Sequence, residues 1–215
     1  FKAKRLVSEM FNKLGSDRVG IIAYASTAIP VLPITTDFSS AKMFLESLNT
    51  DMLSSQGTSI IEAVELSKGY FDDDNQTNRV LCILSDGEHY EGSLWESAMF
   101  ASHHELDNLV FIVDRNRQII LGNSEECLQI DPLDQKWKSF GWNVIEVDGH
   151  NYNELLSALK KARIPNKKPN LIIANTIKGK GISYMENVTR WHNTMPNKEE
   201  IEIARKDLEQ NTING

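Results

Sequence analysis

The stretch "RVLCILSDGEHYEGSLWESA", residues 79–98, decides how the chain reads. Its first seven residues are an almost unbroken apolar run, the pattern of a strand buried on both faces of a parallel sheet. The run ends by delivering Asp86 to the carboxyl end of that strand. "EGSLWESA" then opens a helix carrying glutamates. A strand that hands an acid to a helix start is the local grammar of an α/β fold, in which ligands sit beyond the carboxyl ends of the strands.

The same grammar extends in both directions. Downstream, "EGSLWESAMFASHHELDN", "DPLDQKWKSFG", "NYNELLSALKKAR" and "NKEEIEIARKDLEQ" read as helices, and "LVFIVDRN", "WNVIEVDG" and "PNLIIANTI" as strands. Upstream, "KAKRLVSEMFNKLG" is spaced as a helix and "RVGIIAYAS" as a strand. "AIPVLPIT" is a strand whose prolines suit an edge. "DFSSAKMFLESLN" is a helix capped by Asp37, and "TSIIEAVELSKGYF" is one opened by Thr58 or Ser59. Helices alternating with strands imply right-handed crossovers and a mainly parallel, doubly wound, three-layer sheet of Rossmann-like type. Asp86, Asp114, Asn116 and Asp148 all fall at strand ends.

Composition narrows the functions. At 215 residues the chain can bury a substantial core. A net charge of −7 with no dense basic patch argues against a nucleic-acid partner. No apolar run approaches the ~20 residues that cross a bilayer. Cys82 and Cys127 show no metal-type spacing, and Cys82 reads as a buried small hydrophobe. The absence of a disulfide framework favours a reducing compartment, and a cytoplasmic location is expected. The chain begins at Phe1 rather than Met, as a fragment would.

Two resemblances meet at Asp86. Residues 1–88 resemble a bacterial von Willebrand factor type A domain through "SDRVGIIAYAS", "LPITTDFSSAKMFLESL", "QGTSIIEAVELS" and "NRVLCILSDGE". Residues 85–209 resemble the thiamine-diphosphate-binding domain of transketolase, most closely the N-terminal subunit of split transketolases. The phrases there are "DGEHYEGSLWESAMFASHHELDNLVFIVDRN", "DPLDQKWKSFGWNVIEVDGHN", "LIIANTIKGKGISYMEN" and "WHNTMPNKEE". The arrangement reads as a chimera with a type A segment at 1–84, lacking its first strand, and a transketolase-like segment at 85–215, lacking its N-terminal part. Both parents are parallel three-layer folds, so one fused sheet is expected, or two half-folds sharing the strand near 79–85. The missing strand would leave an open edge that invites association.

Each resemblance implies a chemistry. Type A domains bind one divalent cation through hard oxygen ligands. Thr58 and Asp86 match two of that set, while the Asp-x-Ser-x-Ser loop is absent and Thr58 better suits a helix cap. The transketolase resemblance implies thiamine diphosphate and Mg²⁺ held by a Gly-Asp-Gly motif and a later asparagine. Asp86, Asn116 and the backbone carbonyl of Gln118 would be the metal ligands, and Gly87 would let the backbone approach the diphosphate. Ser85 departs from that motif by replacing its first glycine. Glu91 matches a glutamate near the subunit interface, and equally suits a helix first turn. His192 matches a histidine that lines the active site and assists proton transfer. His103, His104, Lys178 and Lys180 read as packing or surface residues. The implied function is a cofactor half-site for ketol transfer between sugar phosphates, inactive until a pyrimidine-binding subunit or a second copy completes it. The alternatives are a metal-dependent protein-binding module of type A character and a chimera that only folds.

Overall fold

The computed structural model describes residues 2–15, 17–49, 52, 59–68 and 79–213. In the N-terminal part the elements are α1 (Lys2–Phe11), β1 (Val19–Tyr24), β2 (Ala28–Thr35), α2 (Phe38–Ser47) and α3 (Ile60–Lys68). Next come β3 (Val80–Ser85), α4 (Gly92–His103), β4 (Leu109–Arg115), β5 (Gln118–Ile119), β6 (Gly122–Asn123) and α5 (Ser124–Cys127). The chain continues through α6 (Leu133–Ser139), β7 (Asn143–Asp148), α7 (Tyr152–Ala162), β8 (Asn170–Asn175) and α8 (Lys198–Ile213). Two 3-10 turns, Gly87–Tyr90 and Thr189–His192, flank the region of interest.

The core sheet is parallel, in the order β3-β4-β8-β7. Its centre is β4, where every residue from Leu109 to Val113 is at most 4% exposed. Alternation sends Phe111 and Val113 to one face, against Leu94, Ala98 and Ala101 of α4 and Trp137 of α6. Val110 and Ile112 face the other way, onto Leu155, Ala158 and Ala162 of α7. Helices on both faces make the three-layer α/β fold that the apolar runs imply. Each fully buried aliphatic or aromatic side chain contributes roughly 1.5–3 kcal/mol, so this double-sided strand anchors the unit.

The N-terminal segment is organised separately. β1 and β2 form an antiparallel ribbon of their own. Phe11, Leu32, Ala41 and Leu45 make a satellite core beneath it. Asp37 caps α2 by accepting from the backbone N–H groups of Ser39 and Ser40. Among the described residues β3 pairs with β4 alone, so the two sheets neither fuse nor share that strand. β1 spends its pairing on β2. It reaches β3 through Tyr24, whose hydroxyl donates to the Ile83 carbonyl at 2.9 Å, with Glu88 Oε1 3.3 Å away. Ile60 of α3 is fully buried in the core of the larger sheet, so the two segments are packed together at their junction.

Parallel register brings the strand ends level: Ser85 lies opposite Asp114, Asp114 opposite Ala174, and Asn175 opposite Asp148. The acids and amides that follow these positions therefore share one edge of the sheet. Among the described residues, no helix is long and apolar enough to cross a membrane.

Candidate functional site

Asp86 stands where β3 ends and the first 3-10 turn begins, and it is 0% exposed. Its Oδ1 accepts from the Arg115 guanidinium at 2.9 Å, and its Oδ2 accepts from the backbone N–H of Arg117. Asn116, between those two residues, turns its Oδ1 onto the backbone N–H of Gln118 at 3.0 Å. Gln118 Oε1 accepts from the Thr189 hydroxyl at 2.8 Å. That last bond ties the strand-end loop to the turn that carries His192. The loop from Arg115 to Gln118 is thus bonded to Asp86 at one end and to the His192 turn at the other, with Asn116 bracing it from within.

Arg115 organises the cluster. Only 2% exposed, it pairs with Glu125 at 2.6 Å and Asp131 at 3.1 Å besides Asp86, and donates to Ser124 Oγ at 3.1 Å. Burial raises the Asp86 carboxyl above its ordinary value, against the pull of the guanidinium and of the Arg117 N–H. Arg115, Glu125 and Asp131 are not among the residues that the sequence motifs single out. The signal available was a cation, with Asp114, at the end of the apolar run 109–113, where burial demands a counter-charge.

The transketolase resemblance implies a divalent cation here, and the donor types are suitably hard oxygens. The arrangement does not fit it. Both oxygens of Asp86 and the amide oxygen of Asn116 are committed to N–H donors, and a guanidinium stands beside the carboxylate. Among the described residues, no group of three or more His, Cys, Asp or Glu is placed to hold a metal ion either.

The remaining expected residues are scattered. Gly87 is half-buried, and a Cβ there would meet only Ile119 Cγ2 at 3.6 Å and Ser85 Oγ at 4.0 Å. The exposed Ser85 donates its backbone N–H to Glu88 Oε2 at 2.6 Å, a bond that closes the turn. Glu91 is exposed at the start of α4, and its side chain makes no capping bond there. Burial raises the Glu88 carboxyl, and the Glu91 charge adds to that rise. His192 is exposed, with Nδ1 3.3 Å from Lys178 Nζ; burial and that ammonium lower its pKa. Thr58 lies outside the described residues, so of the type A pair only Asp86 is placed. His103 and His104 are exposed, in keeping with their expected surface role.

His89 is not marked by any sequence motif, yet it is 3% exposed behind Asp86. Its Nε2 accepts from Trp137 Nε1 at 3.2 Å, and its Nδ1 lies 3.0 Å from the Ser85 carbonyl. An indole N–H can only donate, so the neutral tautomer carries its proton on Nδ1. The ring borders a cavity of about 470 Å³ lined by Tyr90, Trp95, Ile130, Lys136 and Phe140 among others; Asp86, Asn116 and Gln118 do not line it. Burial pushes the His89 pKa down to about 4. The unfolded value is near 6.5, so the stabilising contribution is complete above about pH 6.5 and is lost as pH falls toward 4. Denaturant titrations across that window are expected to show a loss on the order of 3 kcal/mol that His89→Gln removes. A variant with an unchanged pH slope would sink this assignment.

Acids and amides at the carboxyl ends of parallel strands are where a three-layer α/β fold presents side chains to a ligand. The chain matches the family described as "Transketolase, thiamine diphosphate binding domain" over residues 51–213 and belongs to that family. Residues 2–89 also match the von Willebrand factor type A domain, so the two matches overlap at residues 51–89. An apulose-4-phosphate transketolase subunit of Phocaeicola vulgatus is 38% identical over 137 residues, covering 64% of this chain and 49% of that protein. The 6-deoxy-6-sulfo-D-fructose transketolase subunit SqwG of a Clostridium species is 41% identical over 137 residues, 64% of this chain and 50% of that one. The chain therefore spans about half the length of the curated relatives it matches. Among solved structures, transketolase from Campylobacter jejuni superposes with a TM-score of 0.57 at 30% identity, over 61% of this chain and 21% of that one.

Proposed function

We propose that the chain supplies the diphosphate-side half of a thiamine-diphosphate site for ketol transfer between sugar phosphates, and that it is not competent alone. The observation that carries this reading is the strand-end loop 115–118, bonded to Asp86 at one end and to the His192 turn at the other, lying inside the family match. Relatives named as transketolase subunits support a complementary, pyrimidine-binding chain as the partner, a second copy of this chain being the other candidate. Thiamine diphosphate, when bound, supplies the carbanion chemistry. This chain's own part is to orient and to move protons. The His192 imidazole, accessible yet partly desolvated and beside Lys178, has its pKa lowered and is biased toward its neutral, proton-accepting form. Glu91, exposed at the start of α4, is accessible to a partner. No step is routed through Mg²⁺, because Arg115 already fills the place beside Asp86.

The same reading divides the chain by origin into a type A-like segment at 1–84 and a transketolase-like segment at 85–215. Separate sheets and a separate satellite core support it, although Ile60 packs across that boundary. A cytoplasmic setting belongs to the same proposal. The alternative, a metal-dependent protein-binding module on Thr58 and Asp86, needs a carboxylate that Arg115 has already taken.

The test is a calorimetric titration of thiamine diphosphate into the chain mixed with the pyrimidine-binding subunit of a split transketolase, with Mg²⁺ and then with EDTA. Binding is expected in the mixture, unchanged by EDTA because Arg115 stands where a metal would. It is expected to be lost with Asp86→Ala, which frees the strand-end loop from its anchor. A folded mixture that gives neither heat nor a thermal shift would overturn the reading.

A further inference from the structure

We infer that Arg115 is the resident cation of the strand-end site and that the free chain excludes divalent metal from Asp86. This goes beyond the split-transketolase reading and does not rest on it. Three observations converge on it. First, the carboxylate is sealed: Asp86 is 0% exposed, with one oxygen on the guanidinium and the other on the Arg117 N–H. Second, the guanidinium is held from its far side as well, by Glu125 at 2.6 Å, Asp131 at 3.1 Å and Ser124 at 3.1 Å. To make way for a metal it would have to leave four partners at once. Third, the amide oxygen of Asn116 is turned onto the Gln118 N–H at 3.0 Å, which leaves it one lone pair and ties its direction to the loop.

Physical chemistry makes the exclusion strong. Mg²⁺ requires near-octahedral oxygens at about 2.0–2.1 Å and gives up its water reluctantly. A dication beside a buried guanidinium would also meet like-charge repulsion in a region of low effective dielectric. Arginine stays protonated across the working pH range, so neither mild acid nor mild base unlocks the site. The converse follows from the same geometry. Removing the side chain leaves Asp86, Glu125, Asp131 and the Ser124 hydroxyl without their cation, hard oxygen donors around a guanidinium-sized gap that must contract before a divalent ion can take it.

The experiment uses the full chain and Mn²⁺ alone, read by electron paramagnetic resonance of the free ion and by thermal melts. Wild type and Asp86→Asn are expected to give the same Mn²⁺ isotherm, and Mn²⁺ is expected to leave the wild-type melting temperature unchanged. Arg115→Ala is expected to take up Mn²⁺ and to melt higher in its presence, by mass action on the folded state. Uptake by wild type that Asp86→Asn abolishes overturns the inference. A folded Arg115→Ala that binds no more Mn²⁺ than wild type overturns it as well, since burial rather than arginine would then exclude the metal. Should Arg115→Ala fail to fold with or without Mn²⁺, Arg115→Gln takes its place under the same two criteria, and the wild-type isotherm decides independently. Because thiamine diphosphate is never added, failure here is separate from failure of the cofactor reading.

Discussion

Arg115→Ala is expected to destabilise the chain by about 3–5 kcal/mol in metal-free buffer, the usual cost of breaking a buried pair and leaving its partner charged. The cost comes from Asp86, which is 0% exposed and keeps only the Arg117 N–H. Glu125 and Asp131 suffer less, because their side chains are 21% and 36% exposed and water can replace the guanidinium. A double-mutant cycle with Asp86→Ala separates these contributions. The double variant is expected to lose less than the sum of the single losses, since no charge is then stranded at position 86. Urea unfolding of the four proteins measures the coupling. Additive losses would mean that Arg115 works by filling volume and not by pairing.

Trp137→Ala is expected to cost a similar amount, about 3–5 kcal/mol, for a different reason. The indole is 0% exposed on α6 and packs against Trp142, Trp95 and Phe111 at ring-centroid distances of 4.8, 5.5 and 6.0 Å. Its N–H also satisfies His89, so truncation leaves both a cavity and an unpaired ring nitrogen. Trp137→Phe refills much of the volume without the N–H and is expected to lose less than Trp137→Ala. Unfolding at neutral pH measures both. A loss near zero for Trp137→Ala would mean that the cluster rearranges and is not the anchor of α6. Typical domains are stable by only about 5–15 kcal/mol, so either of these changes takes a large share of the whole.

Much of the fold is legible in the sequence because its signals are local. "RVLCILS" and "LVFIVDRN" are apolar runs long enough to be strands, and the structure has them as β3 and β4. Asp37 caps α2 as its position before "FSSAKMFLES" implies. Cys82 is buried, as its apolar neighbours require. The hairpin of Gln118–Ile119 with Gly122–Asn123 is invisible in the sequence, because two-residue strands carry no periodicity. Sheet sharing also stayed open: the same residues at β1 allow a parallel neighbour or an antiparallel ribbon, and only the pairing with β2 decides.

The site divides along the same line. Sequence by itself determined the family, the strand ends and the identities of Asp86, Asn116, Gln118 and His192 as the residues to examine, because motif spacing is written along the chain. Tertiary structure alone decided that Asp86 is closed. The groups that close it come from elsewhere in the chain: Arg115 lies 29 positions from Asp86, and Arg117 lies 31. A cation one residue before Asn116 reads as solvated or buried with equal ease. Only the distances of 2.9 Å to Asp86 and 2.6 Å to Glu125 show that it neutralises a buried acid. Charge pairing acts through space, and one-dimensional order does not encode which charges meet.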